Sequence, residues 1–222
     1  NNFKITDTIN KFVAKGNYAE VYRLQDSLML TKRALLITES EENDSLYMNA
    51  QRIIVTGKQG QRIIKAFKNA RFYKTNMSGK CDSLHSNDMT GITQLIGRPV
   101  LWNGESQMTG DLMHLISNKE TQKMDSLKVL NNVFLVERDT LGTGFNQVKG
   151  QNLFGRFNDG KLAEVDIIKN TEMIYYVYDY ENELYGIDKN TSSKINLTFD
   201  EESKIENTTF FESPKGETYP ED

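Results

Sequence analysis

Residues 125–136 read DSLKVLNNVFLV, and they contain two patterns that recur along this chain of 222 residues. The first is the tripeptide Asp-Ser-Leu, which begins at residues 26, 44, 82 and 125, at steps of 18, 38 and 43 residues. The two longer steps are close to twice the shortest. This spacing indicates a repeating unit of about 20 residues with some copies degenerate, which is typical of repeat architectures.

The second pattern is an apolar residue followed five positions later by asparagine, as Leu127/Asn132. It recurs as Phe12/Asn17, Ile64/Asn69 and Val165/Asn170, and with glycine as Ile92/Gly97. Asparagine and glycine tolerate left-handed or bulged backbone, so each chain segment is predicted to bend there. Glycines at 110, 150 and 186, at steps of 40 and 36 residues, indicate a larger unit of about 40 residues, or four short strands.

The segments between these markers have the pattern of β-strands. Apolar runs are short and rich in β-branched and aromatic residues, and turn-forming clusters such as Asn158-Asp159-Gly160 separate them. Alternation in residues 194–199 predicts that Ile195, Leu197 and Phe199 share one face. Helical signals are confined to short segments at 7–13 and 118–123, so the chain is predicted to be all-β.

Composition excludes several classes of protein. The formal charge of −4 argues against nucleic-acid binding, which usually requires a basic stripe. Cys81 is the only cysteine, so the chain can form neither an intrachain disulfide nor a cysteine-based zinc site, and we expect a small buried hydrophobe there. An apolar run of 18 residues is missing, so no membrane-spanning helix is predicted.

The chemistry-bearing residues do not assemble into a catalytic pattern. The four Asp-Ser pairs are interpreted as turn entries whose side-chain oxygens bond nearby backbone N–H groups. His85 and His114 lie in strand-like contexts with no partners at catalytic or metal-ligand spacing, and the glycines form no phosphate-binding fingerprint. We therefore predict no catalytic residue, no metal and no cofactor.

Taken together, these markers resemble the OstA-like family, in a divergent branch. That family includes the periplasmic bridge proteins of lipopolysaccharide transport and the N-terminal domain of their outer-membrane partner. The resemblance rests on residues 15–17, 68–70, 131–133 and 169–171 and extends over 79–102, 107–111 and 145–150, together covering roughly residues 12–211. Only the first asparagine of the series follows a glycine, which departs from the family pattern.

The resemblance implies a repeat-built, folded-over antiparallel sheet: a twisted β-jellyroll with an open hydrophobic groove. Residues 1–211 would form this single domain, and residues 212–222 a C-terminal linker or tail. The implied function is non-enzymatic binding of acyl chains during lipopolysaccharide transport to the outer membrane, in the periplasm and in association with the outer membrane. The implied partners are lipopolysaccharide or lipid A, and other transport proteins or further copies of the chain joined head to tail through edge strands.

Inward apolar residues are the predicted binding set, since in a groove fold they would form both core and ligand wall. The candidates are Ile53, Ile64, Phe72, Leu84, Leu95, Trp102, Leu115, Leu127, Leu135, Phe157, Ile167 and Tyr175. A register error of one residue would reverse each assignment. Arg71 and Arg98 are candidate rim cations for lipid phosphates.

Two alternatives remain open from the residues. A right-handed parallel β-helix acting on polysaccharide would suit units near 20 residues. A structural or adhesive β-sandwich with a filled core, no groove and no ligand is the other alternative.

Overall fold

The fold is described from a computed structural model, which covers residues 2–39, 45–75, 77–121, 123–200 and 205–220. Contacts group the chain into two compact units. Unit 1 comprises Asn1–Leu101 and Leu112–Met124, and unit 2 comprises Trp102–Asp111 and Asp125–Asp222. The sequence predicts one domain over residues 1–211, whereas contacts divide the chain into these two units.

Strands account for nearly all of the regular structure in the described residues. Unit 1 contains β1 (Phe3–Asp7), β2 (Phe12–Gly16), β3 (Tyr18–Tyr22), β4 (Ser27–Glu39), β5 (Ser45–Thr56), β6 (Ile63–Lys74), β7 (Met77–Asn87), β8 (Ile92–Ile96), the start of β9 (Val100–Asn103) and β11 (Leu112–Ser117). Unit 2 contains β10 (Ser106–Thr109), almost all of β12 (Met124–Arg138), β13 (Phe145–Asn158), β14 (Lys161–Tyr178), β15 (Leu184–Phe199), β16 (Ile205–Phe211) and β17 (Lys215–Tyr219). A single turn of 3-10 helix, Arg23–Gln25, precedes β4.

Neighbouring strands in the chain pair with each other. In unit 1 the pairs β4–β5, β5–β6, β6–β7, β7–β8 and β8–β11 are antiparallel, as are those of β4 with β2 and β3. In unit 2 antiparallel pairs join β10–β12, β12–β13, β13–β14, β14–β15 and β15 with both β16 and β17. The predicted all-β, folded-over antiparallel fold is confirmed, and the parallel β-helix alternative is wrong because these ladders run antiparallel.

Pairs of left-handed residues fold the long strands. Positive φ occurs at two consecutive residues within β6 (Lys68 at 62° and Asn69 at 55°). The same feature occurs in β12 at Asn131-Asn132, in β14 at Lys169-Asn170, and after β8 at Gly97-Arg98. In β6, β12 and β14 the pairing register with a neighbouring strand shifts at these residues, as expected for a bulge that bends the strand. The predicted bends at Asn69, Gly97, Asn132 and Asn170 are therefore confirmed.

One member of this series, Asn17, differs from the prediction. Asn17 does not take positive φ; its N–H donates to the Lys32 carbonyl at 2.9 Å, at the junction of β2 and β3. The left-handed pair beside it is Lys32-Arg33 in β4, with φ of 57° and 68°. Arg33 lies five residues after Leu28, so the spacing is kept while the asparagine is replaced.

The Asp-Ser-Leu copies are less uniform than their sequence suggests. Asp26 is left-handed and Ser27 opens β4, as predicted for a turn entry, and Ser45 opens β5 while Asp44 lies outside the described residues. In contrast, Asp82 and Asp125 lie within β7 and β12, so the turn interpretation is wrong for them. Asp82 instead bonds through its N–H to the carbonyl of Gly97, at the neighbouring fold.

Two segments have structures other than those expected from their residues. The predicted helical start at 7–13 is wrong: the Asp7 carboxylate accepts hydrogen bonds from the N–H groups of Ile9 and Asn10 and closes a turn between β1 and β2. Residues 212–222, interpreted as a linker or tail, contain β17, which pairs with β15. Left-handed Glu212 and Ser213 redirect the chain so that β16 and β17 pair with the two halves of β15.

Candidate functional site: the apolar interior

The interior of unit 1 consists of rows of apolar side chains that run across the strands. Leu30, Ile53, Ala66, Leu84, Leu95 and Met113 are paired in register from β4 to β11, and each is at most 1% exposed. Beyond the folds, Ala14, Leu36, Met48 and Phe72 form a second buried row on β2, β4, β5 and β6. The alternation of strand side chains places these residues on the inner face.

The interior of unit 2 has the same construction. Val129, Leu153, Ile167 and Ile195 are paired in register from β12 to β15, and all are fully buried. On the other side of the folds, Met108, Leu135, Val148 and Met173 form a second buried row. Each unit thus holds apolar rows on both halves of its folded strands.

Most of the predicted binding residues lie in this interior. Nine are buried: Ile53, Ile64, Phe72, Leu84, Leu95, Leu115, Leu127, Leu135 and Ile167. Phe157 and Tyr175 share the alternation of the buried residues Leu153 and Met173 but are half-buried, near the strand ends. Trp102 differs, because the buried residue of β9 is its neighbour Leu101.

Many buried residues were missed by the sequence prediction, including Leu30, Leu36, Met48, Val129, Leu153, Met173, Ile195 and Leu197. Most lie two or four residues from a predicted site residue or in a predicted strand, as Val129 lies two from Leu127. Simple alternation would therefore have identified most of them. Alternation is harder to follow across a left-handed pair, because the pair adds residues to the strand and shifts which later positions face inward.

Small side chains line the fold in unit 1. Ala34 pairs with Ala50, and Ala70 pairs with Cys81, each beside a left-handed pair or a register shift. The Cys81 thiol is buried and donates to the Ser83 carbonyl at 3.1 Å, and burial raises its pKa to about 11. The expectation of a small buried hydrophobe at Cys81 is confirmed.

Polar groups close one end of the rows in each unit. In unit 1, Arg62 continues the alternation of Ile64, is buried, stacks over the Phe12 ring at 5.6 Å and donates to the Asn10 carbonyl. In unit 2, the Tyr178 hydroxyl donates to Asp139, a buried carboxylate. Burial raises the pKa of nearby Tyr175, and the charges of Glu137 and Asp139 raise it further.

The predicted rim cations face outward. Arg98 lies 3.9 Å from Asp82, and both side chains are largely exposed, so this contact contributes little stability. Arg71 lies on the outer face of β6, where it pairs with Lys80 of β7. Neither arginine is part of the buried apolar rows.

The two histidines are brought near each other by the sheet. Gln94 of β8 pairs with His85 of β7 on one side and His114 of β11 on the other, and its amide contacts His114 Nε2 at 3.2 Å. His85 packs edge-on against Phe67 at 5.6 Å, and burial lowers its pKa. Within the described ranges no three His, Cys, Asp or Glu side chains group as metal ligands.

The apolar rows are covered at their centres and less covered at their ends. Central side chains of each row are almost fully covered, whereas Phe157 and Tyr175 of unit 2, and Phe210 of β16 beside Ile195, are only half-buried. Apolar surface is therefore accessible at the row ends. None of the helical structure in the described ranges is long and apolar enough to cross a membrane.

Comparisons with known proteins found similarity at the level of structure. No family model matches the chain, and no curated protein matches its sequence. A solved structure of LptH, the LptA-homologous periplasmic component of the lipopolysaccharide transport device of Pseudomonas aeruginosa, aligns with 66% of this chain and 95% of its own. The identity is 12% and the TM-score 0.48, values too low to assign this chain to the neighbour's family.

Proposed function

We propose that this chain is a non-enzymatic, periplasmic lipid-binding protein that carries lipopolysaccharide toward the outer membrane. The observation that supports this most is the pair of apolar rows in each unit, held on both halves of strands that fold at left-handed residue pairs. Such rows offer acyl chains a continuous apolar surface worth about 25 cal/mol for each Å² buried. The OstA-like spacing of the fold markers agrees with the same function.

Acyl chains would enter at the row ends rather than at the covered centres. In unit 2, Phe157 and Phe210 are half-buried on the inner alternation, so a lipid tail reaching them displaces little existing packing. Deeper entry requires the two halves of the fold to separate, since residues such as Leu153 and Ile195 are fully covered. The twelve predicted lining residues, apart from outward Trp102, are the proposed wall.

Binding of purified protein to lipopolysaccharide tests this function. We expect saturable binding that Phe157→Ser and Phe210→Ser weaken at least about tenfold, because each removes about 2 kcal/mol of apolar contact. Phe154→Ser is the matched control, since Phe154 lies on the exposed face of the same strand. Absence of saturable binding, or equal loss in the control, would refute the proposal.

A structural β-sandwich without ligand is the second candidate. It is favoured by the covered centres of the rows, where side chains in both units are 0–2% exposed. The two candidates predict different responses to lipid: a carrier gains thermal stability when lipopolysaccharide is added, by ligand linkage, whereas a filled sandwich does not.

Edge strands are the proposed contacts with neighbouring transport proteins or with further copies. The described pairings use only one side of β3 in unit 1, and of β16 and β17 in unit 2. Exposed Val21 of β3 provides a test, because lysine on an edge strand opposes strand addition. We expect Val21→Lys to reduce association in sedimentation velocity, while Ile54→Lys, on interior strand β5, does not; equal association of both variants would exclude this edge.

A further inference from the structure

Charge is divided unevenly between the two units. Unit 1 carries 17 Lys and Arg against 10 Asp and Glu, a formal charge of +7, whereas unit 2 carries 10 against 21, a formal charge of −11. The segment 45–81, which supplies β5, β6 and the first half of β7, has eight Lys and Arg and no acidic residue. The whole-chain charge of −4 conceals this basic region.

The basic residues form a row on the outer face of unit 1. Register places Lys4, Lys15, Leu35, Asn49, Arg71 and Lys80 side by side on β1, β2, β4, β5, β6 and β7. All four cations are exposed. At about 4.8 Å between strands, the row is about 24 Å long.

This basic row contains two like-charged pairs. Lys4 lies directly opposite Lys15, and Arg71 directly opposite Lys80. Like charges directly opposite on adjacent strands destabilise a sheet. The two pairs therefore concentrate positive charge at both ends of the basic row.

An apolar row runs beside the basic row, at the positions two residues away from it on each strand. It comprises Val13, Ile37, Tyr47 and Tyr73, in register on β2, β4, β5 and β6, and the polar residues Thr6 and Ser78 lie at its two ends on β1 and β7. Tyr47 and Tyr73 are 43% and 58% exposed, and their rings lie 6.4 Å apart. The outer face therefore presents cations next to tyrosines and aliphatic side chains.

Three occupants could meet such a face, and the residues favour one. A second copy would need an acidic sheet face, yet on the outer face of unit 2 Glu164, Asp166 and Glu172 each already contact a Lys or Arg. A soluble polyanion would use the cations but leave the apolar row in water. An anionic bilayer uses both, because tyrosine and aliphatic groups enter the headgroup region while Lys and Arg meet lipid phosphates.

We propose that the outer face of unit 1, formed by the basic row and the apolar row, docks on the surface of an anionic phospholipid bilayer. This site is separate from the apolar interior and needs no lipopolysaccharide. The bound lipid is phospholipid at the membrane surface, held by charge and shallow insertion rather than by extraction of its acyl chains.

Sedimentation with vesicles lacking lipopolysaccharide tests the proposal. We expect binding to vesicles of phosphatidylcholine with about one third phosphatidylglycerol, weak binding to phosphatidylcholine alone, and a decrease with added salt. Replacing Lys4, Lys15, Arg71 and Lys80 by glutamine should reduce binding at least about tenfold. The control replaces four exposed cations of unit 2, Lys128, Arg138, Lys189 and Lys215, and should change binding less than about twofold.

The contribution of the apolar row is tested separately. Tyr47→Ser with Tyr73→Ser should reduce the binding that persists at high salt, and urea unfolding should show that all variants remain folded. Equal binding of the two four-residue variants would overturn the proposal. So would salt-sensitive self-association without vesicle binding, which would assign the face to a second copy, or binding to a sulfated polysaccharide alone, which would assign it to a soluble polyanion.

Discussion

Asn69 is one of the left-handed residues at which the long strands bend, with a φ of 55° next to Lys68 at 62°. Left-handed backbone places Cβ close to the following carbonyl, at a cost of about 1–2 kcal/mol for most residues and less for asparagine. β-branched residues are the least tolerated there. The side-chain choice at these positions therefore helps to fix where the strand folds.

Substitution at Asn69 tests this directly. We expect Asn69→Val to lower the free energy of unfolding in urea by about 1–2 kcal/mol, and Asn69→Gly to leave it nearly unchanged. Lys65→Val, at an exposed extended position of the same strand, is the control. If Asn69→Val were as stable as the control, the left-handed pair would not be what constrains the fold.

Cys81 provides a pH-dependent prediction at the same scale. Burial raises the thiol pKa to about 11 from its ordinary 9.0, so the unfolded chain loses its proton first as pH rises. Stability is therefore full below pH 9 and falls between pH 9 and 11, by about 2–3 kcal/mol in total. In Cys81→Ala, which fits the neighbouring alanines, this decrease should be smaller by that amount, as measured by urea unfolding across the pH range.

The residue types in the sequence predicted the bends within strands better than they predicted the turns between strands. Asn69, Asn132 and Asn170 were identified because asparagine tolerates positive φ, whereas Lys32-Arg33 was missed because no common left-handed residue marks it. Asp82 and Asp125 were misassigned to turns, since Asp-Ser suits both turn entries and exposed strand positions. Sequence alone does not separate these cases, because neighbouring strands determine the choice.

At the scale of elements, a glycine in one strand lets it pack closely against the bend in the neighbouring strand. Gly150 of β13 pairs with Val133 of β12 and lies against the fold of β14. A Cβ at Gly150 would lie 2.5 Å from Ile167 Cγ2 and 3.5 Å from the Ile168 carbonyl oxygen. The glycine thus permits close approach of the two strands at the fold.

Gly150→Ala should destabilise the protein by about 1–3 kcal/mol, because Ile167 is fully buried and has little room to move. Gly155→Ala is the control on the same strand, where the nearest atom to a Cβ would be Leu162 Cδ1 at 3.2 Å, followed by Leu127 Cβ and Val165 Cγ2 at the ordinary contact distances of 3.5 and 3.8 Å. Thermal unfolding of both variants measures the difference. Equal melting temperatures would show that the fold of β14 does not require glycine beside it.

Strand alternation identified much of the interior from the sequence. Ile195, Leu197 and Phe199 were placed on one face and are all buried, and nine of the twelve predicted lining residues are buried. Trp102 was misplaced because Val100-Leu101-Trp102 is apolar on both alternations, so only pairing with neighbours decides which side chain turns inward. The unequal charges of the two units were visible in the sequence but emerge only when the unit boundaries are known.

For the whole molecule, the proposed function requires lipid acyl chains to enter at the ends of the apolar rows, since the centres of the rows are covered. Half-buried Phe157 and exposed Phe154 lie on opposite alternations of β13, which allows the two faces to be compared within one strand. Both positions already carry a phenyl ring, the group that a photoreactive benzoylphenylalanine extends.

The most direct measurement places benzoylphenylalanine at Phe157 or at Phe154 and irradiates each protein with lipopolysaccharide. We expect a saturable adduct at position 157 that free lipid A competes away, and little adduct at position 154. Equal labelling at both positions, or no adduct at position 157, would contradict the claim that the apolar interior holds the lipid.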